Sequence, residues 1–180
     1  MTLFDTGPDS QSLIRNVKAM QVPTERIERV IISHWHSDHS GGLLSFLSFR
    51  NDALRLEDQA SPPGACWIDV HPDRPSARGI APGPSYDKVI CALPFDPTFE
   101  EIERLGGVVD KHKEGHAVAG GTVWVSGEIP RQTEYETGLM GGMRWVEEAE
   151  GVGKWVSDPV GFKFIYFFLE FHIQDIVANN

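Results

Sequence analysis

The chain has 180 residues, with 26 acidic against 16 basic side chains and a formal net charge of −10. That length suits one domain with a core of its own, and a pI near 5.1 leaves no basic patch to neutralise phosphates, which argues against a nucleic-acid partner. The two cysteines, Cys66 and Cys91, form no CxxC pair and fit a reducing compartment. The chain opens on no secretory leader, and its longest apolar run, residues 162–171, carries Lys163 and Glu170 and is too short to span a bilayer, so a cytoplasmic protein without a membrane partner is expected.

In chain order, residues 1–4 read as a strand closed by the turn Asp5-Thr6-Gly7. Asp9 or Ser10 is placed to cap a helix whose apolar face is Leu13, Ile14, Val17 and Met20. Pro23 and Thr24 turn the chain into Val30-Ile31-Ile32, a β-branched run with the composition of a buried strand. The strand ends at Ser33, and the next six positions hold His34, His36, Asp38 and His39. Gly41 and Gly42 are expected to free the backbone to turn. A helix then follows to about Leu56, with Leu43, Leu44, Phe46 and Leu47 inward.

Residues 60–64 form a proline-rich loop, and residues 66–70 a strand ending in His71-Pro72-Asp73, where His71 reads as structural. Residues 74–86, rich in proline and glycine, are expected to be a mobile loop near the site mouth. Asp96-Pro97-Thr98 opens a helix, Asp96 as its cap and Pro97 in the first turn, with Phe99, Ile102 and Leu105 inward and Gly106-Gly107 at its end. A short strand over 108–110 leads into KHKEGHAV, where His112 reads as solvated and His116 is a candidate to reach the site. A strand over 122–125 delivers Gly127-Glu128-Ile129-Pro130-Arg131, and residues 138–142 are a candidate lid.

The density of ligands after the central strand argues for a metal site. Three of the seven histidines fall within six residues, beside Asp38 and a glycine pair. Just past a strand, residues two apart point the same way, which sets His34 and His36 toward one ion. Asp38 and His39 follow the turn and face a second point. Imidazole suits zinc and related ions, and a carboxylate adds a harder, charged ligand. Two metals roughly 3.5–4 Å apart fit such a loop, the arrangement that clamps and hydrolyses esters and phosphates.

The pattern HxHxDH followed by GG, after an apolar strand, resembles the signature of the metallo-β-lactamase superfamily. LFDTG at 3–7, VHPD at 70–73 and SGEIPRQTEYE at 126–136 agree with it in order. The last segment is similar to the GEIPR segment of a branch that holds dihydropteroate synthase-like and ribofuranosylaminobenzene phosphate synthase-like proteins of this fold. The resemblance covers residues 1–159 and leaves residues 160–180 as an unmatched aromatic tail, in which His172 and Asp175 are weak ligand candidates. It implies an α/β fold, a partial αββα sandwich of mixed sheets flanked by helices. Relatives extend before LFDTG and continue into a GCSH-type stretch with further ligands, so a fold truncated at both ends is expected.

The resemblance also implies roles. His34, His36, Asp38 and His39 would hold one or two zinc ions, or iron or manganese. A bound water whose pKa falls from 15.7 toward roughly 7 would supply hydroxide to attack an ester, amide or phosphate, with Asp38 orienting it or taking its proton. Asp5 would orient the metal loop from behind, although on spacing alone it reads as a plain turn residue. Arg131 would hold a phosphate or carboxylate of a small-molecule substrate, or else pair with Glu128 or Glu134. Three functions follow: a metal-dependent hydrolase, a pterin- or phosphoribosyl-type synthase or transferase, and a non-catalytic fragment. The oligomeric state is open.

Overall fold

The computed structural model describes residues 1–57, 64–130, 132–136, 138–149, 152–158 and 167–169, with backbone only for residues 56, 57 and 167–169. Along the chain run β1 (Thr2–Phe4), α1 (Ser12–Ala19), β2 (Arg29–Ile31), α2 (Ser37–Ser40), α3 (Leu43–Glu57), β3 (Cys66–Val70), β4 (Arg78–Ile80), β5 (Cys91–Ala92), α4 (Phe99–Arg104), β6 (Gly107–Lys111), β7 (His116–Val118), β8 (Val123–Val125), β9 (Gly142–Ala149), β10 (Val152–Ser157) and β11 (Phe167–Leu169).

A parallel sheet of order β1-β2-β3-β6 sits at the centre. The face of its strands toward the helices is apolar on alternate positions, while the opposite face mixes Ile31 and Val108 with Arg29, Asp69 and Asp110. On one face Val30, Ile32, Ile68 and Val70 pack with Leu43, Phe46 and Leu47 of α3 and Ile102 of α4. Each of those three α3 side chains is fully buried, which is worth roughly 2 kcal/mol apiece. On the other face Ile31 packs with Val118, Val123 and Val125 of the antiparallel sheet β11-β8-β7. A third sheet, β10-β9-β4-β5, is antiparallel throughout. The architecture is a mixed α/β fold with helices on one side of a parallel sheet and antiparallel strands on the other. Among the described residues no helix is long and apolar enough to cross a membrane.

Several sequence expectations are corrected. Met20 is 75% exposed because α1 ends at Ala19 and Met20 is its C-cap, beyond the buried stripe. The N-cap of that helix is Gln11 and not Asp9 or Ser10, while Asp9 Oδ1 accepts from the backbone N–H groups of Gln11 and Ser12 at 2.8 Å in the turn that leads into it. Residues 74–86 are not simply a loop, since they contain β4, which pairs with β9, and a buried Arg78. The cap of α4 is Thr98, in a capping box with Glu101, and not Asp96. Asp96 is buried and engages Arg78 Nε and Nη2 at 2.9 and 3.0 Å. Of the aromatic tail, only β11 lies within the described residues, where it pairs antiparallel with β8. His172 and Asp175 lie outside them.

Candidate metal centre

The loop is built by what precedes and follows it. β2 runs out at Ile31, and Ile32 N donates to Asp69 O on β3, so the strand end is fixed before the first histidine. His36 is extended, with φ −130° and ψ 143°, and α2 starts immediately after it. That turn swings Asp38 and His39 back over His34. One ligand atom each from His34, Asp38 and His39 lies within 4.8 Å of the others. The rings of His34 and His39 have centroids 4.1 Å apart, and those of His34 and His36 are 4.7 Å apart. Spacing alone pairs His34 with His36. The helical turn instead brings His34 closest to the later pair, with His36 alongside.

The glycine pair has a purpose other than the one its spacing suggests. Gly41 lies at φ −64°, an ordinary helical value, so no special turn is needed there. A Cβ on Gly41 would lie 2.5 Å from Pro8 O, and one on Gly42 would lie 2.2 Å from Thr6 O. The glycines let the Asp5-Thr6-Gly7 loop press directly on the motif. Thr6 N and Oγ1 both donate to His39 O, at 2.7 and 2.9 Å, which seals that contact.

Asp5, read from spacing as a plain turn residue, is drawn into the centre. It sits in the left-handed region at φ 53°, a cost of about 1 kcal/mol for a non-glycine residue. Its Oδ2 lies 2.6 Å from His39 Nδ1, and its carboxylate accepts from Ser33 N and Ser33 Oγ at 2.8 Å. Ser33 Oγ in turn lies 3.0 Å from His34 Nδ1. Both imidazoles are therefore gripped on Nδ1. This is the arrangement by which proteins aim metal-binding histidines.

Electrostatics suit the same purpose. Burial pushes His34 down to about 3, helped by His39 and His36, and pushes His36 down to about 4, helped by Arg78. Both rings are neutral lone-pair donors at neutral pH, as metal ligation requires. His34 is only 4% exposed. Asp38 is the open member, with a side chain 67% exposed and Oδ2 3.5 Å from His39 Nε2. The donor set fits a divalent metal ion.

A hollow of about 220 Å³ opens beside the loop, lined among others by His36, Asp38, Arg78, Leu93, Leu139 and Asp158. Asp158 was missed by sequence reasoning: it is buried, with Oδ2 4.0 Å from His36 Nε2, although it lies more than a hundred residues later in the chain. Its only signal was its place in GKWVSDP, after a strand. Arg78 and Asp96 were missed too. Asp96 Oδ1 accepts from Ser40 Oγ at 2.8 Å, so this buried pair braces the end of α2. Leu139 places the expected lid segment at the hollow's edge.

The remaining candidates lie elsewhere. Glu128 of the GEIPR segment approaches His71, Oε2 to Nε2 at 3.4 Å, and His71 is 3% exposed. Arg131 lies outside the described residues. His116 joins Asp69, 2.8 Å from its Oδ2, in a group that shares no residue with the motif. His112 is not merely solvated: its ring stacks on His116 at 3.7 Å and its Nε2 lies 2.8 Å from Asp110 Oδ1.

A parallel sheet with helices on one face, and a loop at its strand end whose histidines and aspartate could hold a metal ion, defines an α/β protein with a candidate metal centre. The family model described as the metallo-beta-lactamase superfamily matches residues 2–131, and the chain belongs to that superfamily. Over 54 residues it is 32% identical to the 7,8-dihydropterin-6-methyl-4-(beta-D-ribofuranosyl)-aminobenzene-5'-phosphate synthase of Methanocaldococcus jannaschii. That match covers 30% of this chain and spans 18% of the length of the synthase.

Proposed function

We propose that the chain is a metal-dependent hydrolase of the metallo-β-lactamase type, acting on an ester, amide or phosphate of a small molecule. The observation that carries this reading is the convergence of His34, Asp38 and His39 within 4.8 Å, beside an open hollow. His34, Asp38 and His39, with His36 beside them, would hold one or two zinc ions, and iron or manganese suit the same donors. The bound metal would supply Lewis acidity and a water of lowered pKa.

The chain's own residues do the rest. Asp5 and Ser33 fix the ring orientations of His39 and His34 through Nδ1. Asp38, exposed at the loop's edge, orients the attacking water or takes its proton on a carboxylate oxygen. The Arg78–Asp96 pair holds the wall of the hollow and the end of α2 in register. Leu93 and Leu139 offer apolar contact to the part of the substrate that does not react.

A second reading is supported by the match to the M. jannaschii synthase: a synthase or transferase on a pterin or phosphoribosyl-type substrate. One experiment separates the two. The zinc- or manganese-loaded chain is offered bis(p-nitrophenyl) phosphate and a simple lactone, and then a dihydropterin whose 6-methyl carbon carries a diphosphate leaving group, together with a ribofuranosylaminobenzene phosphate. Hydrolysis of either generic substrate, lost in His34→Ala and Asp38→Ala, supports the hydrolase. A coupled pterin product without hydrolysis supports the synthase, and turnover unchanged in both variants removes the metal-loop reading.

A further inference from the structure

A second set of donors lies on the face of the parallel sheet that receives β7 and β8. Asp69 and Asp110 are register partners across β3 and β6, so their carboxylates share one side of the sheet. Arg29, on β2, reaches both: its Nη1 donates to Asp69 Oδ2 at 2.9 Å and to Asp110 Oδ2 at 2.8 Å. Above them the rings of His112 and His116 stack with centroids 3.7 Å apart and 22° between their planes. His112 Nε2 lies 2.8 Å from Asp110 Oδ1, and His116 Nε2 lies 2.8 Å from Asp69 Oδ2. One ligand atom each from Asp69, His112 and His116 falls within 4.8 Å of the others.

The protons on His116 decide what this cluster is for. Its Nδ1 lies 3.1 Å from the carbonyl oxygen of Glu114, which can only accept, so Nδ1 carries a proton. In a neutral imidazole Nε2 is then a lone pair, and it faces a carboxylate oxygen at 2.8 Å. Two acceptors at that distance need a proton between them, and a metal ion replaces that proton when the two atoms part enough to stand as neighbouring ligands.

Two features favour the ion. Asp69 is fully buried, and its Oδ1 has no hydrogen-bond partner among the described residues. A proton on His116 answers Oδ2 alone, whereas an ion can draw on both oxygens. The neighbouring His112–Asp110 pair repeats the same imidazole–carboxylate geometry, which adds a second nitrogen to the group and a carboxylate that orients it. A histidine whose Nδ1–H is tied to a main-chain carbonyl is also the usual form of a metal ligand. With two neutral imidazoles, two carboxylates and one guanidinium, the cluster sums to −1, so a cation is not opposed by the local charge.

We propose that Asp69, His112 and His116 form a second cation site, with Asp110 holding His112 in place, for zinc or a similar borderline divalent ion. Two nitrogens and one carboxylate supply three ligands to a tetrahedral ion, as sites with one open position do. The site is independent of the reading given to the motif loop.

The test uses the full chain, stripped with a chelator and titrated with cobalt(II), whose visible ligand-field bands report its coordination. The His112→Gln/His116→Gln variant is expected to bind one equivalent fewer, with the bands from the motif loop retained. In parallel, zinc added to the unmutated chain is expected to abolish diethyl pyrocarbonate modification of His112 and His116, read by peptide mass spectrometry. This second arm decides the matter if the variant does not fold. Equal stoichiometry in a folded variant, or modification of the two histidines unaffected by zinc, overturns the proposal and makes His116 a charged partner of Asp69.

Discussion

The carboxylate of Asp5 lies 2.6 Å from Nδ1 of His39, although the two stand 34 positions apart in the chain. The contact joins the turn after β1 to the turn after β2, and it decides which ring nitrogen of His39 is left for a metal. Replacing Asp5 with Ala is expected to weaken metal binding by about 10–100-fold, the usual loss when such a partner goes. Competition with a chromophoric chelator measures it. Unchanged affinity would mean that the loop aims His39 unaided.

The glycine pair predicts a steric effect. In Gly42→Ala the new methyl would sit 2.2 Å from Thr6 O, a backbone atom that cannot step aside without moving the Asp5 loop. A loss of about 1–3 kcal/mol is expected, as for other overpacked sites, together with weaker metal binding. Chemical denaturation with and without zinc checks both. A stable variant with native metal affinity would show that the Asp5 loop does not need that close approach.

How far the sequence revealed this fold depends on range. The strand–loop–helix around the motif, the strands at β3 and β8, and the buried face of α3 follow from local periodicity, because Val30, Ile32, Leu43, Phe46 and Leu47 carry their own signal. The centre was legible as a set of ligands but not as a geometry. That Asp5 grips His39, or that Asp158 stands beside His36, depends on where distant strands end. Arg78 and Asp96 read as loop and cap because each is polar, and only their pairing makes burial affordable. His112 looked solvated among lysines, although Asp110 stands only two positions away, because its stacking on His116 depends on how the turn between β6 and β7 folds back.

That buried pair makes a third prediction. Arg78 and Asp96 are almost fully enclosed, so Arg78→Met or Asp96→Leu alone strands a charge and is expected to cost roughly 3–5 kcal/mol. The double variant should recover much of that loss, read by a double-mutant cycle in urea. Additive losses would show that the two side chains act separately.

A fourth concerns pH in the metal-free chain. His34 and His36 are pushed from 6.5 down to about 3 and about 4, so below pH 6.5 the unfolded chain takes up protons that the folded chain refuses. Stability present above pH 6.5 is therefore lost as pH falls, by about 2 kcal/mol for each ring at pH 5. Thermal unfolding of chelated protein between pH 7 and 5 should show the drop, and the His34→Gln/His36→Gln variant should flatten it. A slope that survives in the variant would assign the effect to other groups.

The account's central claim is that the loop after β2 gathers a divalent ion. Calorimetric titration of zinc into the chelated chain, beside His34→Ala/His39→Ala, addresses it most directly. The expected result is a tight binding phase in the native chain that vanishes in the variant. Superimposable isotherms from two folded proteins would contradict it.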